Sequence, residues 1–265
     1  MFFNNGEVAI ITGAAKGIGE GCADVFFKEG ANLALLDIDA AGLETKEKEY
    51  SAGSSTIFQQ SVDVSNYAQV ETAIKAIYDK FGRIDYLVNC VGIQTYGTAE
   101  ETSEELWDKT ININLKSMFF TAKATLPYMK KNNKGAIVNI SSVQSLASQK
   151  GVVAYATSKG GINSLTRALA IDNAEFGIRV NSILPGSVDT PMLRSAAELF
   201  SGGKTVEQIL ASWGKAHPLG RVGKISEIGD LAAFLCSDRA SFITGTAVTI
   251  DGGLMGVVPV VLPEE

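Results

Sequence analysis

The chain has 265 residues and a mass of 28.0 kDa, is 46% apolar and 20% charged, and so can bury a sizeable core and reads as globular. A net charge of −6 and a pI near 5.0 exclude the basic stripe of a nucleic-acid binder. No apolar run reaches the ~18 residues needed to span a bilayer, so no membrane partner is expected. Three scattered cysteines (Cys22, Cys90, Cys236) suit neither a disulfide framework nor a zinc site and read as small buried hydrophobes. The single histidine, His217, lies in a loop-like Ala-His-Pro-Leu-Gly, which argues for a structural role and against histidine-based hydrolysis. No metal is expected. The N-terminus lacks a basic segment leading into an apolar stretch, which makes the cytoplasm the expected compartment.

In chain order, residues 8–11 form a short apolar run without alternation, the pattern of a strand buried on both faces. Thr12-Gly-Ala-Ala-Lys-Gly-Ile-Gly19 follows, ahead of a helical pattern over 20–29. Gly13, Gly17 and Gly19 let the backbone turn tightly and approach a phosphate, and the helix start, with Lys16 and Ile18, offers free N–H groups to a pyrophosphate. The next strand, 32–36, ends in Asp37, where an acid can hydrogen-bond ribose hydroxyls and repel a 2′-phosphate. Asp37 and the neighbouring Ile38, in place of an arginine, favour NAD over NADP; Lys16 is a mild signal the other way. As a helix cap for the segment from Ala40, Asp39 is the better candidate.

A third strand is expected over 56–62, ending at Asp63-Val64, then a helix over 67–81 with apolar positions Val70, Ala73, Ile74, Ile77 and Phe81. A fourth strand, 84–88, leads to Asn89-Cys-Val-Gly92, and a long helix over 103–129 has a possible break at 112–114. Strand five, 136–140, precedes Ser142 and a helix reaching about 176; strand six, 179–184, ends in Pro185-Gly186; a last strand covers 247–250. The alternation predicts an α/β Rossmann-type doubly wound parallel sheet of about seven strands, helices on both faces, in a single domain over 1–265. Asp37, Asp63, Asn89, Ser142 and Pro185 all fall at carboxyl ends of strands, where such sheets bind ligands. Tyr155 and Lys159 lie four apart in the helical stretch and share a face, a phenol beside an ammonium.

Thr12-Gly-x-x-x-Gly-x-Gly19, Asp63, Asn89-x-x-Gly92, Asn114, Ser142, Tyr155-x-x-x-Lys159 and Pro185-Gly186 together resemble the short-chain dehydrogenase/reductase family, over nearly the whole chain. The family's usual Asn-Asn-Ala-Gly is Asn-Cys-Val-Gly here, keeping the asparagine and glycine. The resemblance implies Tyr155 as general acid/base, its pKa lowered by Lys159, which also holds the nicotinamide ribose. Ser142 would position the substrate oxygen, the family's serine-to-tyrosine interval selecting it over Ser141, and Asn114 would support a proton-relaying water chain. Asp63 and Val64 would flank the adenine, Asn89, Val91 and Gly92 border the cofactor channel, and Pro185, Gly186, Val188 and Thr190 surround the nicotinamide, with Val188 and Thr190 on its carboxamide. A homotetramer built on the long helices is implied as well. Bringing a tyrosine from a pKa of ~10 to ~7 takes roughly 4 kcal/mol of differential stabilisation, within reach of an ammonium in a partly desolvated cleft.

Substrate contacts are expected from Gln94, Gln144, Gln149 and Met192, with a lid over 191–218 hinged at Gly202-Gly203 and carrying Leu193, Leu199, Phe200 and Trp213. The amides and nearby hydroxyls suit a sugar or polyol, and the chain is similar to bacterial sugar 1-dehydrogenases of the family. A 3-oxoacyl-thioester reductase is the alternative, then a hydroxysteroid or cyclic-alcohol dehydrogenase; a non-catalytic dinucleotide-binding regulator fits less well, since all four catalytic positions are kept. The apolar tail, 254–265, is expected to pack across a subunit interface.

Overall fold

The computed structural model describes residues 2–4 and 6–258. β1 (Val8–Thr12), β2 (Asn32–Asp37), β3 (Ile57–Ser61), β4 (Tyr86–Asn89), β5 (Gly135–Ile140), β6 (Ile178–Pro185) and β7 (Ala247–Ile250) form one parallel sheet of order β3-β2-β1-β4-β5-β6-β7. Strand order reverses between β1 and β4, and the crevice at that switch point opens beyond the carboxyl ends of both. Register keeps those ends level, pairing Thr12 with Leu36 and Asn89, Asn89 with Asn139, and Ile140 with Ile183. β1, β4 and β5 are buried along their whole length, which is why they read as unbroken apolar runs.

One core layer packs beneath α1 (Gly17–Lys28) and the chain's late α9 (Ile225–Cys236), around Cys22, Phe26, Ile11, Leu33, Val138 and Ile228. The opposite layer lies under α3 (Tyr67–Phe81) and α5 (Ser117–Asn132), around Ile10, Leu36, Val70, Ile74, Leu87 and Ile137. Asp39 caps α2 (Ala40–Tyr50), its Oδ1 accepting from the Gly42 N–H at 3.0 Å, so Asp37 is spared that duty. α9 has no counterpart among the expected elements. Strand four begins at Tyr86, with Asp85 ahead of it accepting from Val8 N–H and from Arg83.

The expected long helix is three segments: α4 (Glu104–Ile111), a π-helical turn (Asn112–Lys116) and α5. The break expected at 112–114 is thus a change of winding, of the kind that recurs at functional sites. α6 (Val153–Asn173) carries Tyr155 and Lys159 one turn apart, and a 3₁₀ turn (Ala174–Phe176) ends it. α7 (Pro191–Leu199) and α8 (Val206–Gly214) form the segment expected as a lid and share a small core of Ala197, Ile209 and Leu210 with Leu193, Val206 and Trp213 against it. Among the described residues no helix is long and apolar enough to cross a membrane.

Candidate active site

The glycine turn leaves β1 with Gly13 and Gly17 in the left-handed region (φ 68° and 63°). A Cβ on Gly19 would stand 1.9 Å from the Gly13 carbonyl oxygen, so only glycine lets this turn close. Lys16, exposed, occupies the N-cap of α1 and its side chain makes no cap hydrogen bond. The first N–H groups of the helix are therefore available to an anion, reinforced by the helix dipole. Asp37 braces the turn: Oδ2 accepts from Ala15 N–H and Oδ1 from Asp39 N–H, each at 3.0 Å. Each oxygen keeps a lone pair for a ribose hydroxyl. Ile38 beside it is 72% exposed. The turn, its free helix terminus and the fixed acid fit a dinucleotide.

Ser142, Tyr155 and Lys159 are buried together at the floor of a cavity of about 640 Å³. Ser142 caps a 3₁₀ turn (Val143–Ser145), its Oγ accepting from Gln144 N–H at 3.1 Å. Lys159 Nζ donates to the Ile140 carbonyl at 3.0 Å and stands 5.5 Å from the Tyr155 ring centre. Burial pushes the Tyr155 phenol up to about 12 against the pull of the Ser142 hydroxyl, and burial lowers the Lys159 ammonium to about 8. In the protein alone desolvation thus outweighs the expected lowering of Tyr155 by Lys159. Ser141, passed over for Ser142, donates its hydroxyl to the Lys159 carbonyl at 2.9 Å and fixes the helix carrying the pair.

The cavity also gathers Ile18, Gly92, Gln94, Gln144, Gln149, Pro185, Gly186, Val188, Thr190 and Met192. Gly13, Lys16, Gly17, Gly19, Asp37, Ile38, Asp63 and Val64 lie outside it, on the turn and at the ends of β2 and β3. Thr190 bridges the two groups: a Cβ on Gly17 would lie 3.6 Å from its Cβ, and its Oγ1 accepts from Leu193 N–H to cap α7 while keeping its own proton to donate. Asp63 Oδ1 accepts from Ser65, and Val64 is buried in the core under α3. Val91 packs in that core and abuts Gly13.

One expectation about an asparagine needs correction. Asn89 does not line the cavity; its Nδ2 donates to Asn139 Oδ1 at 2.9 Å and its Oδ1 accepts from Thr121 Oγ1 at 2.8 Å, while Asn139 Nδ2 donates to Thr166 Oγ1. This buried chain ties β4 and β5 to α5 and α6. Asn114 is fully buried and its amide is already engaged, Oδ1 accepting from Ile93 N–H and Nδ2 donating to Ile93 O and Ser158 Oγ. Its side chain holds the Ile93 segment against α6.

Residues missed in sequence complete the cleft. Tyr96 meets Phe200, at the end of α7, edge-on, ring centres 5.1 Å apart, and both line the cavity. Leu254 and Met255 line it too; Val257 and Val258 are exposed, and 259–265, the rest of the tail expected at an interface, lie outside the described residues. His217, which also borders the cavity, is held by the backbone, Nδ1 donating to Trp213 O at 3.0 Å and Nε2 accepting from Ser187 N–H at 3.2 Å. Cys22 and Cys236 are buried, while Cys90 is partly buried, lines the cavity and has its Sγ 3.9 Å from that of Cys22. Tyr96 lies two residues from Gln94, the one local hint; the other contacts are long-range.

A sheet of this topology with a tyrosine–lysine pair beside its nucleotide turn belongs to an oxidoreductase that acts on CH–OH groups with a nicotinamide nucleotide. The chain is a member of the short-chain dehydrogenase/reductase family, and the family model described as enoyl-(acyl carrier protein) reductase matches residues 13–255. It is similar to oxidoreductase UcpA of Salmonella typhimurium, 44% identical over 249 residues with 94% of each chain covered. It is also similar to 3-oxoacyl-(acyl-carrier-protein) reductase FabG of Thermotoga maritima, 37% identical over 250 residues, with 94% of this chain and 98% of the relative covered. The ligand-free aldohexose dehydrogenase of Thermoplasma acidophilum has a similar solved structure, with a TM-score of 0.89, 37% identity and 98% of each chain covered.

Proposed function

We propose that the protein is an NAD-dependent dehydrogenase that interconverts a secondary alcohol, a sugar or polyol hydroxyl, with its carbonyl. The observation that carries this is the burial of Tyr155 and Lys159 side by side beneath a cleft that presents the amides of Gln94, Gln144 and Gln149. Asp37, held on the glycine turn, supports NAD, because a fixed carboxylate there repels a 2′-phosphate.

NAD held along the turn would supply the hydride chemistry. The residues of the chain manage orientation and the proton. Ser142 holds the substrate oxygen against Tyr155. In alcohol oxidation the Tyr155 phenolate takes the hydroxyl proton as the carbinol carbon gives up its hydride; in reduction the phenol returns a proton to the carbonyl oxygen. Lys159, anchored on Ile140 O, sets a positive charge beside the phenolate when protonated. The closed amide of Asn114 acts by positioning Ile93 and α6.

Offering NAD+ and NADP+ with aldoses, polyols, 3-hydroxyacyl thioesters and steroids, and recording nicotinamide reduction, tests the reading. Turnover confined to acyl thioesters would replace it with a 3-oxoacyl-thioester reductase, which the apolar lining from Met192, Leu193, Phe200, Trp213, Leu254 and Met255 favours, as does the similarity to FabG. We also propose a cytoplasmic homotetramer, supported by apolar surface on the long helices: Phe119 is 44% and Ile171 77% exposed. A monodisperse monomer by light scattering would contradict the assembly.

A further inference from the structure

Among the described residues two buried side-chain polar atoms take no hydrogen bond from a protein group, Thr125 Oγ1 on α5 and Gln144 Oε1 in the cleft. The second stands at the site of chemistry. Gln144 follows Ser142 by two positions, and its backbone N–H already holds the Ser142 hydroxyl oxygen. Its Nε2 donates to Gln149 Oε1 at 3.4 Å, which leaves the amide carbonyl as the end of the side chain without a partner.

The backbone around it is pinned. Ser145 Oγ donates to the Ser142 carbonyl at 2.6 Å and accepts from Asn163 Nδ2 at 2.8 Å, and Val143 is buried. Only the side-chain torsions of Gln144 are free to bring the carbonyl onto an incoming molecule. A buried acceptor without a donor is costly, and a ligand that brings the donor recovers that cost. In the dehydrogenase reading Ser142 holds the reacting oxygen, and Gln144, whose backbone N–H binds the Ser142 hydroxyl, lines the same cleft beside it.

Resting on the dehydrogenase reading, we propose that Gln144 is a specificity residue: its Oε1 accepts a hydrogen bond from a second hydroxyl on the carbon adjacent to the one oxidised. The preferred substrate class is then the vicinal diol, including the aldose whose reacting and neighbouring hydroxyls form one. A 3-oxoacyl thioester carries only methylene carbons next to its reacting carbon, offers no donor there and leaves Oε1 unpaired. Sites that hydrogen-bond a substrate hydroxyl discriminate strongly against the analogue that lacks it, because the protein group is stranded.

The test compares kcat/KM with NAD+ for D-glucose against 2-deoxy-D-glucose, and for cyclohexane-1,2-diol against cyclohexanol. The wild type is expected to favour the hydroxylated member of each pair it turns over by about tenfold to a hundredfold. In Gln144→Met, which keeps length but has no amide oxygen, the ratio falls toward one; in Gln144→Glu, which keeps an acceptor, a preference remains. A ratio is unaffected by the fraction of folded enzyme, so impaired folding cannot imitate this result. An undiminished ratio in Gln144→Met, or no preference in the wild type, overturns the role of Gln144 while leaving the dehydrogenase reading in place. No turnover of any of the four alcohols, with acyl thioesters reduced, overturns the underlying reading itself.

Discussion

Replacing Asp37 by Asn separates the two jobs this carboxylate combines. Its oxygens each accept one backbone N–H at 3.0 Å, from Ala15 and Asp39, and the residue is 7% exposed. In Asp37→Asn an NH₂ must face one of those N–H donors, so one charge-assisted bond is lost and one amide proton is stranded. That costs about 2–3 kcal/mol, which for a chain of this size lowers the melting temperature by roughly 4–10 °C. For the cofactor the sign reverses. A carboxylate about 5 Å from a 2′-phosphate repels each of its charges by roughly 3 kcal/mol at an effective dielectric of 20, before screening. Removing that charge should improve NADPH affinity relative to NADH by about tenfold to a hundredfold. Fluorescence titration with both reduced nucleotides, beside thermal melting, measures the two effects without any knowledge of the substrate. An unchanged NADPH/NADH ratio would refute the acid as discriminator and point to Lys16; an unchanged melting temperature would refute the brace.

Tyr155→Phe should lower turnover by about a hundredfold to ten-thousandfold while NADH titrates as in the wild type; turnover within tenfold of wild type would remove the proton-transfer role. Lys159→Met should abolish turnover yet stabilise the fold at pH 7. The displacement of Lys159 from 10.5 to about 8 is a cost of roughly 3 kcal/mol, offset by about 1 for the Ile140 carbonyl left unpaired. The sign follows from burial: the folded chain holds this ammonium less readily than the unfolded one, so the cost is complete below pH 8 and relieved as pH rises from about 8 to 10.5. Melting curves of both proteins that run parallel from pH 7 to 10 would contradict it. Tyr155 titrates the opposite way, its neutral form favoured by burial, so the stability it adds is present below pH 10 and lost toward about 12. Asn139→Leu should cost about 3 kcal/mol, since Asn89 Nδ2 and Thr166 Oγ1 lose their partners within the core; denaturant unfolding with an unchanged midpoint would show that the chain contributes nothing.

Local chemistry made much of this protein readable from its residues alone. Strands buried on both faces must be continuously apolar, so β1, β4 and β5 announced themselves, and a helix repeat puts Tyr155 and Lys159 on one face whatever surrounds them. The glycine turn was legible because a 1.9 Å approach to Gly13 O admits no side chain at Gly19. Asp39 as cap also follows from a short-range rule.

What the tertiary structure decided were the partnerships between residues far apart in the chain. Asn89 sits at a strand end where a cofactor role looked natural, yet Asn139 and Thr121, fifty and thirty-two residues away, claim both ends of its amide. Tyr96 finds Phe200, Cys22 meets Cys90, and Leu254 and Met255 return to the cleft only through the order of the sheet. The ionisation of the catalytic pair belongs with these. Spacing placed a phenol beside an ammonium and suggested mutual attraction, but both groups are buried, and desolvation, which depends on everything packed around them, sets the direction in which each is shifted.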